Sequence, residues 1–425
     1  MNNNQQYISE IKYELDQLKI ICRNFGCDHL ISDIDYLEEH LYLYNVHELE
    51  DIAYNKYIKI RKEILLFSDF GKQIKSPNIK IDQYTNYDYE RSLSPYNLEK
   101  KTNQFNGKNV RTVVFRSGMS AIDIVLKTLV RNFKLSNMKM LDCSFYFETR
   151  ELIHNLYNRY LNIERITSYR ELYKVLDTTV YSIVFLESVD INRPNERINL
   201  DSLIQGLNKS NSPLIIIIDT TANLLQFDIE ELMSQMNRDV IIFEIKSGIK
   251  LGQLGLELAN IGIVNLSTNS KSVDMKSIYH TLVAFRSITG CSILPYEEKL
   301  LNNDIFYSET NQIYVSRINE ICTEFYMAIK GNDSFDVFGG IFSVFLIIKI
   351  KNATKADYSE FLEELDKSLK IKKLRIIHGT SFGFRHPRIE IIERALDDIC
   401  IRLSLGHYKG PLYEALKQFF VEWRK

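Results

Sequence analysis

Between residues 112 and 264, short apolar runs alternate with helical patterns, and no other feature of this 425-residue chain restricts its fold so strongly. The strand candidates are 112–115, 138–141, 180–186, 214–218, 240–243 and 261–264. Helical spacing lies between most of them, as with Ile122, Leu126, Leu129 and Phe133 after the first. Strands that alternate with helices predict a mostly parallel sheet covered on both faces, because each crossover lays a helix on the sheet.

The flanks differ in character. From about 7 to 67 the pattern is helical, with Ile11, Leu15, Leu18 and Ile21 on one face and Leu37, Leu41 and Leu43 set among charges. This predicts a helical extension, either packed on the body or used in association. The segment 76–102 is polar and rich in tyrosine, with prolines at 77 and 95, and reads as an ordered arm. Beyond Pro295 a long helical stretch runs through 330. Strand candidates at 342–350, 374–378 and 401–405 follow, interleaved with helices at 356–369 and 411–423. The expected organisation is a helical extension and arm over 1–83, a large α/β domain over 84–300 and a small α+β domain over 301–425.

Bulk properties exclude more than they assign. Lys and Arg number 53 against 55 Asp and Glu, a formal charge of -2, so nothing draws the whole chain to nucleic acid or an acidic membrane. The apolar runs at 213–218 and 341–350 are far too short to span a bilayer. Cys22, Cys27, Cys143, Cys291, Cys322 and Cys400 are scattered without Cys-x-x-Cys spacing, so neither a metal site nor a disulfide framework is expected. The N-terminus lacks the apolar stretch of a signal peptide, which points to a cytoplasmic protein with reduced thiols.

Three segments carry candidate chemistry. At Ser117-Gly118-Met119 a strand gives way to a helix, whose free N–H groups and dipole favour an anion; a plain strand-to-helix turn has the same look. Asp219 follows the apolar run 214–218 and precedes Thr220 and Thr221. It sits at the carboxyl end of a buried strand, where open α/β sheets bind ligands, although a helix N-cap also explains an Asp there. The stretch Lys246-Ser247-Gly248-Ile249-Lys250 follows another strand and offers two lysines. A lysine desolvated near a cation has a lowered pKa and can attack a carbonyl.

Taken in order, these segments resemble the pyridoxal-phosphate (PLP) enzymes of Cys/Met metabolism, the cystathionine γ-synthases, cystathionine lyases and methionine γ-lyases. Further motifs extend the resemblance from about residue 84 to the C-terminus: Tyr89-x-Arg91-x-x-Ser94-Pro95 with Leu98-Glu99, Tyr146-x-x-Thr149, Gly290 to Pro295, and Ile401-Arg402-Leu403-Ser404-Leu405-Gly406. The resemblance implies a type I PLP fold, with a seven-stranded sheet in the large domain. It makes Lys250 the Schiff-base lysine and Ser247 the serine three residues before it. Lys246 fits the upstream spacing but lacks such a serine.

By the same resemblance, Ser117, Gly118, Met119, Thr221 and Ser247 join the cofactor site. Asp219 pairs with the ring nitrogen and Tyr146 stacks on the ring and acts in catalysis. Tyr89 and Arg91 reach the cofactor phosphate of a neighbouring subunit, so a homo-oligomer with shared active sites is expected. Arg402 takes the substrate α-carboxylate, with Ser381 and Glu148 also on the substrate side. Three departures stand out. Ile249 replaces a hydroxyl residue before the lysine, and the segment from Glu187 to Pro194 is one residue longer than the family pattern, which displaces Asn192. Glu148 stands where small residues are usual, pointing to a basic or hydroxylated substrate. The expected reaction is β- or γ-elimination or replacement on an amino acid. Transamination, decarboxylation, or a catalytically inactive assembly subunit are the alternatives on the same fold.

Overall fold

A computed structural model describes residues 3–67, 94–103, 110–135, 138–223, 227–306, 308–341, 343–379, 381–395 and 398–425. The alternation becomes a seven-stranded sheet of β1 (Val110–Phe115), β2 (Lys139–Cys143), β3 (Asn162–Arg165), β4 (Ile183–Glu187), β5 (Leu214–Asp219), β6 (Val240–Ser247) and β7 (Gly262–Thr268). Their spatial order is β1-β7-β6-β5-β4-β2-β3. The pairs from β6 through β5, β4 and β2 to β3 are parallel, whereas β7 runs antiparallel to both neighbours.

Side chains on a strand alternate between faces, and both faces here are covered. Ile183, Phe185, Ile215 and Ile217 enter one core cluster, while Val184, Leu186, Ile216 and Ile218 enter the other. That is why the runs are apolar throughout. β3 escaped the sequence pattern because it is an edge strand whose Asn162 and Arg165 face solvent.

A second sheet follows, made of β8 (Phe335–Phe338), β9 (Leu346–Ile350), β10 (Ile377–His378), β11 (Arg388–Ala395) and β12 (Asp398–Ser404), in the order β10-β11-β12-β9-β8. β10 and β11 are parallel and the other pairs antiparallel. β11 has no apolar run; its Glu390 faces Arg402 across the ladder.

The N-terminal extension forms α1 (Asn3–Phe25), α2 (Ile31–Glu39) and α3 (Val46–Phe67). Ile11, Leu15, Leu18 and Ile21 are fully buried and share one core cluster with Ile318, Phe325, Leu346, Ile401 and Leu416. The extension therefore packs on the body. Of the arm, Tyr96–Thr102 is helical, and buried Glu99 there pairs with buried Arg286 at 2.6 Å. No helix among the described residues is long and apolar enough to cross a membrane.

Candidate functional site

Three parallel strands end side by side: β4 at Glu187, β5 at Asp219 and β6 at Ser247. Beyond them opens a cavity of about 250 Å³ lined by all three residues. Helix α4 (Gly118–Asn132) starts at the same edge. Its start is set locally: Ser117 accepts from the Ser120 N–H (3.1 Å), and the Ser120 hydroxyl accepts from the Ser117 N–H (3.0 Å). Glycine makes the corner close on one side and is required on the other. A Cβ on Gly118 would lie 3.1 Å from the Ser247 Cβ, and one on Gly262 would lie 2.1 Å from the Ser117 carbonyl oxygen. The helix N-terminus is thereby pressed against Ser247, and the Ser247 N–H donates to the Thr221 hydroxyl (2.9 Å). Backbone N–H groups, hydroxyls and a helix dipole at one end of a cavity suit an anion.

A short helix, α5 (Gly248–Leu251), carries Lys250 from the end of β6 into the cavity. Its amine donates to the Ser381 hydroxyl and stands 5.8 Å from the Phe382 ring centroid. Burial, with the positive charge of Arg402 second, lowers its pKa from 10.5 to about 8. Lys246 is spent elsewhere. It is buried within β6 and its Nζ lies 2.9 Å from Glu244, itself held by Thr220 and Asn265. Of the two lysines weighed from the sequence, only Lys250 lines the cavity.

Besides Lys250, four charged side chains and two aromatic ones stand among the lining residues. Burial raises the Asp219 carboxyl, which accepts from the Thr221 N–H at 2.8 Å. Burial and then the neighbouring Asp219 push Glu187 well above the ordinary carboxylate range, and Glu187 accepts from the Tyr146 N–H at 2.9 Å. The Tyr146 phenol is held above its usual range by burial and by Glu148. Across the cavity, Arg402 on β12 is fixed by Glu390 on β11 at 2.6 Å. Its buried Nε has no partner among the described residues.

Ser117, Gly118, Met119, Tyr146, Glu148, Asp219, Thr221, Ser247, Lys250, Ser381 and Arg402, all marked from the sequence, line this one cavity. Tyr89 and Arg91 lie outside the described residues. Asn192 is not on the wall: its N–H donates to Asp190 (2.8 Å), and Glu187, Ser188, Val189 and Ile191 form that side. Ile249 also lines the cavity and gives it an apolar patch. The sequence motifs assign Glu187 no role. The rule that singled out Asp219, a carboxylate ending an apolar run, applies equally to it.

No protein-family model and no curated protein matches the chain. Solved structures do. A cystathionine γ-lyase from Micromonospora echinospora aligns with a TM-score of 0.57 at 13% identity, covering 81% of this chain and 91% of that one. A cystathionine γ-synthase from Xanthomonas oryzae pv. oryzae, solved in complex with cystathionine, gives 0.57 at 16%, covering 81% and 90%. A provisionally assigned O-acetylhomoserine (thiol)-lyase from Campylobacter jejuni, solved with a pyridoxyl-lysine phosphate, gives 0.57 at 16%, covering 80% and 89%. The likeness establishes the fold: the chain has the type I PLP-enzyme fold.

Proposed function

We propose that the cavity binds PLP, with Lys250 as the amine that links to it, and that the chain eliminates or replaces a group at Cβ or Cγ of an amino acid. The bond broken is C–S or an activated C–O. One observation carries the reading: a desolvated amine and a buried carboxylate, Lys250 and Asp219, face one cavity whose end is an N–H-rich helix start. The three chemistries match a carbonyl carbon, a ring nitrogen and a phosphate. The donor set fits the cofactor.

Bound there, PLP would supply an electron sink, and the protein would supply orientation and charge. Ser117, Gly118 and Met119 would hold the phosphate with the hydroxyls of Thr221 and Ser247. Asp219 would keep a proton on the ring nitrogen, which relieves the cost of its own buried charge. Tyr146 would lie against the ring. The Arg402 guanidinium, braced by Glu390, would take the substrate α-carboxylate in a bidentate fork. Lys250 is poised near neutral pH to accept a proton at Cα and return it at a neighbouring carbon. Glu148 would meet a basic or hydroxylated substrate side chain; unchanged substrate preference in Glu148→Ala would dismiss that part. Tyr89 and Arg91 would complete the phosphate site of a second copy, making a homodimer the minimum unit.

The test is a visible spectrum of the purified protein with PLP, followed by keto-acid release from cystathionine, homocysteine, methionine and O-acylhomoserine. A visible band lost in Lys250→Ala, with release from one of these substrates, supports the reading. No band in the wild type, or a band that persists in Lys250→Ala, overturns it.

A further inference from the structure

The N-terminal extension docks through Ile11, Leu15 and Leu18, all fully buried. It also buries a charge. Glu14 of α1 is 1% exposed and sends both carboxylate oxygens to Arg385, at 3.0 Å from Nε and 2.5 Å from Nη2. His407 Nε2 lies 2.9 Å from the same carboxylate. A buried ion pair of this kind gains little over apolar packing, because desolvation offsets the attraction; fixed geometry is the better-attested reason to keep one.

The geometry it fixes surrounds the cavity lysine. Arg385 Nη1 donates to the Leu254 carbonyl (2.9 Å), four residues past Lys250. Beyond the lysine helix, Leu254 has a φ of 52°, a conformation that a branched residue keeps only where neighbours enforce it, and Gly255 follows at 71°. Arg385 also belongs to the segment 381–385. At Gly383, φ is 83° and a Cβ would lie 1.9 Å from the Lys250 carbonyl oxygen, so this backbone presses directly on the lysine's own. The segment begins with Ser381, also at positive φ (94°), which accepts from the Lys250 amine. Helix α3 adds a second tie. Tyr57 donates to the Gly255 carbonyl (3.3 Å), and Arg61 donates to those of Leu256 (2.8 Å) and Glu257 (2.9 Å).

We infer that Glu14 is a positioning residue for the active-site lysine: through Arg385 it clamps the two segments, 254–258 and 381–385, that hold Lys250 and Ser381 in the cavity. The extension is then part of the working site. The inference rests on the proposed function only in taking Lys250 as the working amine, and its test needs no cofactor.

The full-length apo-protein is acetylated with acetic anhydride across pH 6 to 11, and labelling is read peptide by peptide in a mass spectrometer. In the wild type, Lys250 should be labelled with a midpoint near its lowered pKa of about 8. In Glu14→Gln the loosened segments admit water, and the midpoint should rise by about one unit, a tenfold loss of labelling below pH 8. Exposed Lys59 should be unaffected in both, and Glu14→Asp should restore part of the shift. A Glu14→Gln protein that melts earlier but keeps the wild-type Lys250 midpoint would make the extension merely structural and overturn the inference. If Glu14→Gln does not fold, Arg385→Lys, which gives up the two-oxygen fork to Glu14, takes its place with the same expected shift, and an unmoved midpoint overturns it equally. Failure of PLP to attach to the wild type would count against the proposed function and leave this result standing.

Discussion

Replacing Lys250 by methionine should stabilise the apo-protein at neutral pH. The amine sits in the cavity with Arg402 nearby, and its pKa falls from 10.5 to about 8. At 1.36 kcal/mol per unit, that fall means the folded state is penalised by roughly 3 kcal/mol whenever the lysine is charged. The pH window follows from the direction. A lysine with a lowered folded pKa carries its full penalty below about 8, loses it progressively up to 10.5, and carries none above. Methionine fills similar volume without charge and escapes the penalty. The assay is urea unfolding of wild-type and Lys250→Met apo-protein at pH 7 and at pH 10, with the difference between the two proteins cancelling every other titrating group. The variant should be more stable at pH 7 by up to about 3 kcal/mol, and the gap should close toward pH 10. Equal midpoints at pH 7 would refute the claim that Lys250 is a desolvated amine.

Three further outcomes are expected. On the proposed role of Arg402, Arg402→Lys loses the bidentate fork to the substrate carboxylate, and charged hydrogen bonds are worth about 1.5–3 kcal/mol, so steady-state assays should find KM raised roughly 10- to 100-fold with a smaller change in kcat. Buried Glu50 on α3 accepts from Tyr408 (2.8 Å), and burial pushes its pKa up to about 7. The folded state therefore holds a proton that the unfolded chain releases between about 4.5 and 7, stability falls as pH rises through that window, and Glu50→Gln should exceed wild type in unfolding midpoint at pH 8 but not at pH 4. Gly383→Ala drives a Cβ into the Lys250 carbonyl at positive φ and should lower stability by about 2 kcal/mol or more, while Gly331→Ala, with open space around it, should unfold like wild type.

Much of the site was legible because each part obeys a local rule. Asp219 ends an apolar run, Ser117 starts an amphipathic helix, and Lys250 follows a strand by a few residues; the sheet then gathers those ends on one edge. Tertiary pairing was not legible. Nothing in the sequence ties Glu390 to Arg402, since β11 carries charges where a strand usually shows apolar residues. Glu14 looks like any charge on an amphipathic helix until Arg385, 371 residues away, closes on it. The side-chain directions of the two lysines were not legible either: Lys246 lies within β6 and meets Glu244, while α5 turns Lys250 into the cavity.

The most direct test of the account is to incubate the protein with PLP, reduce it with borohydride and map the pyridoxyl group by peptide mass spectrometry. The account predicts one modified residue, Lys250. Modification of Lys246, or of surface lysines without preference, would contradict it.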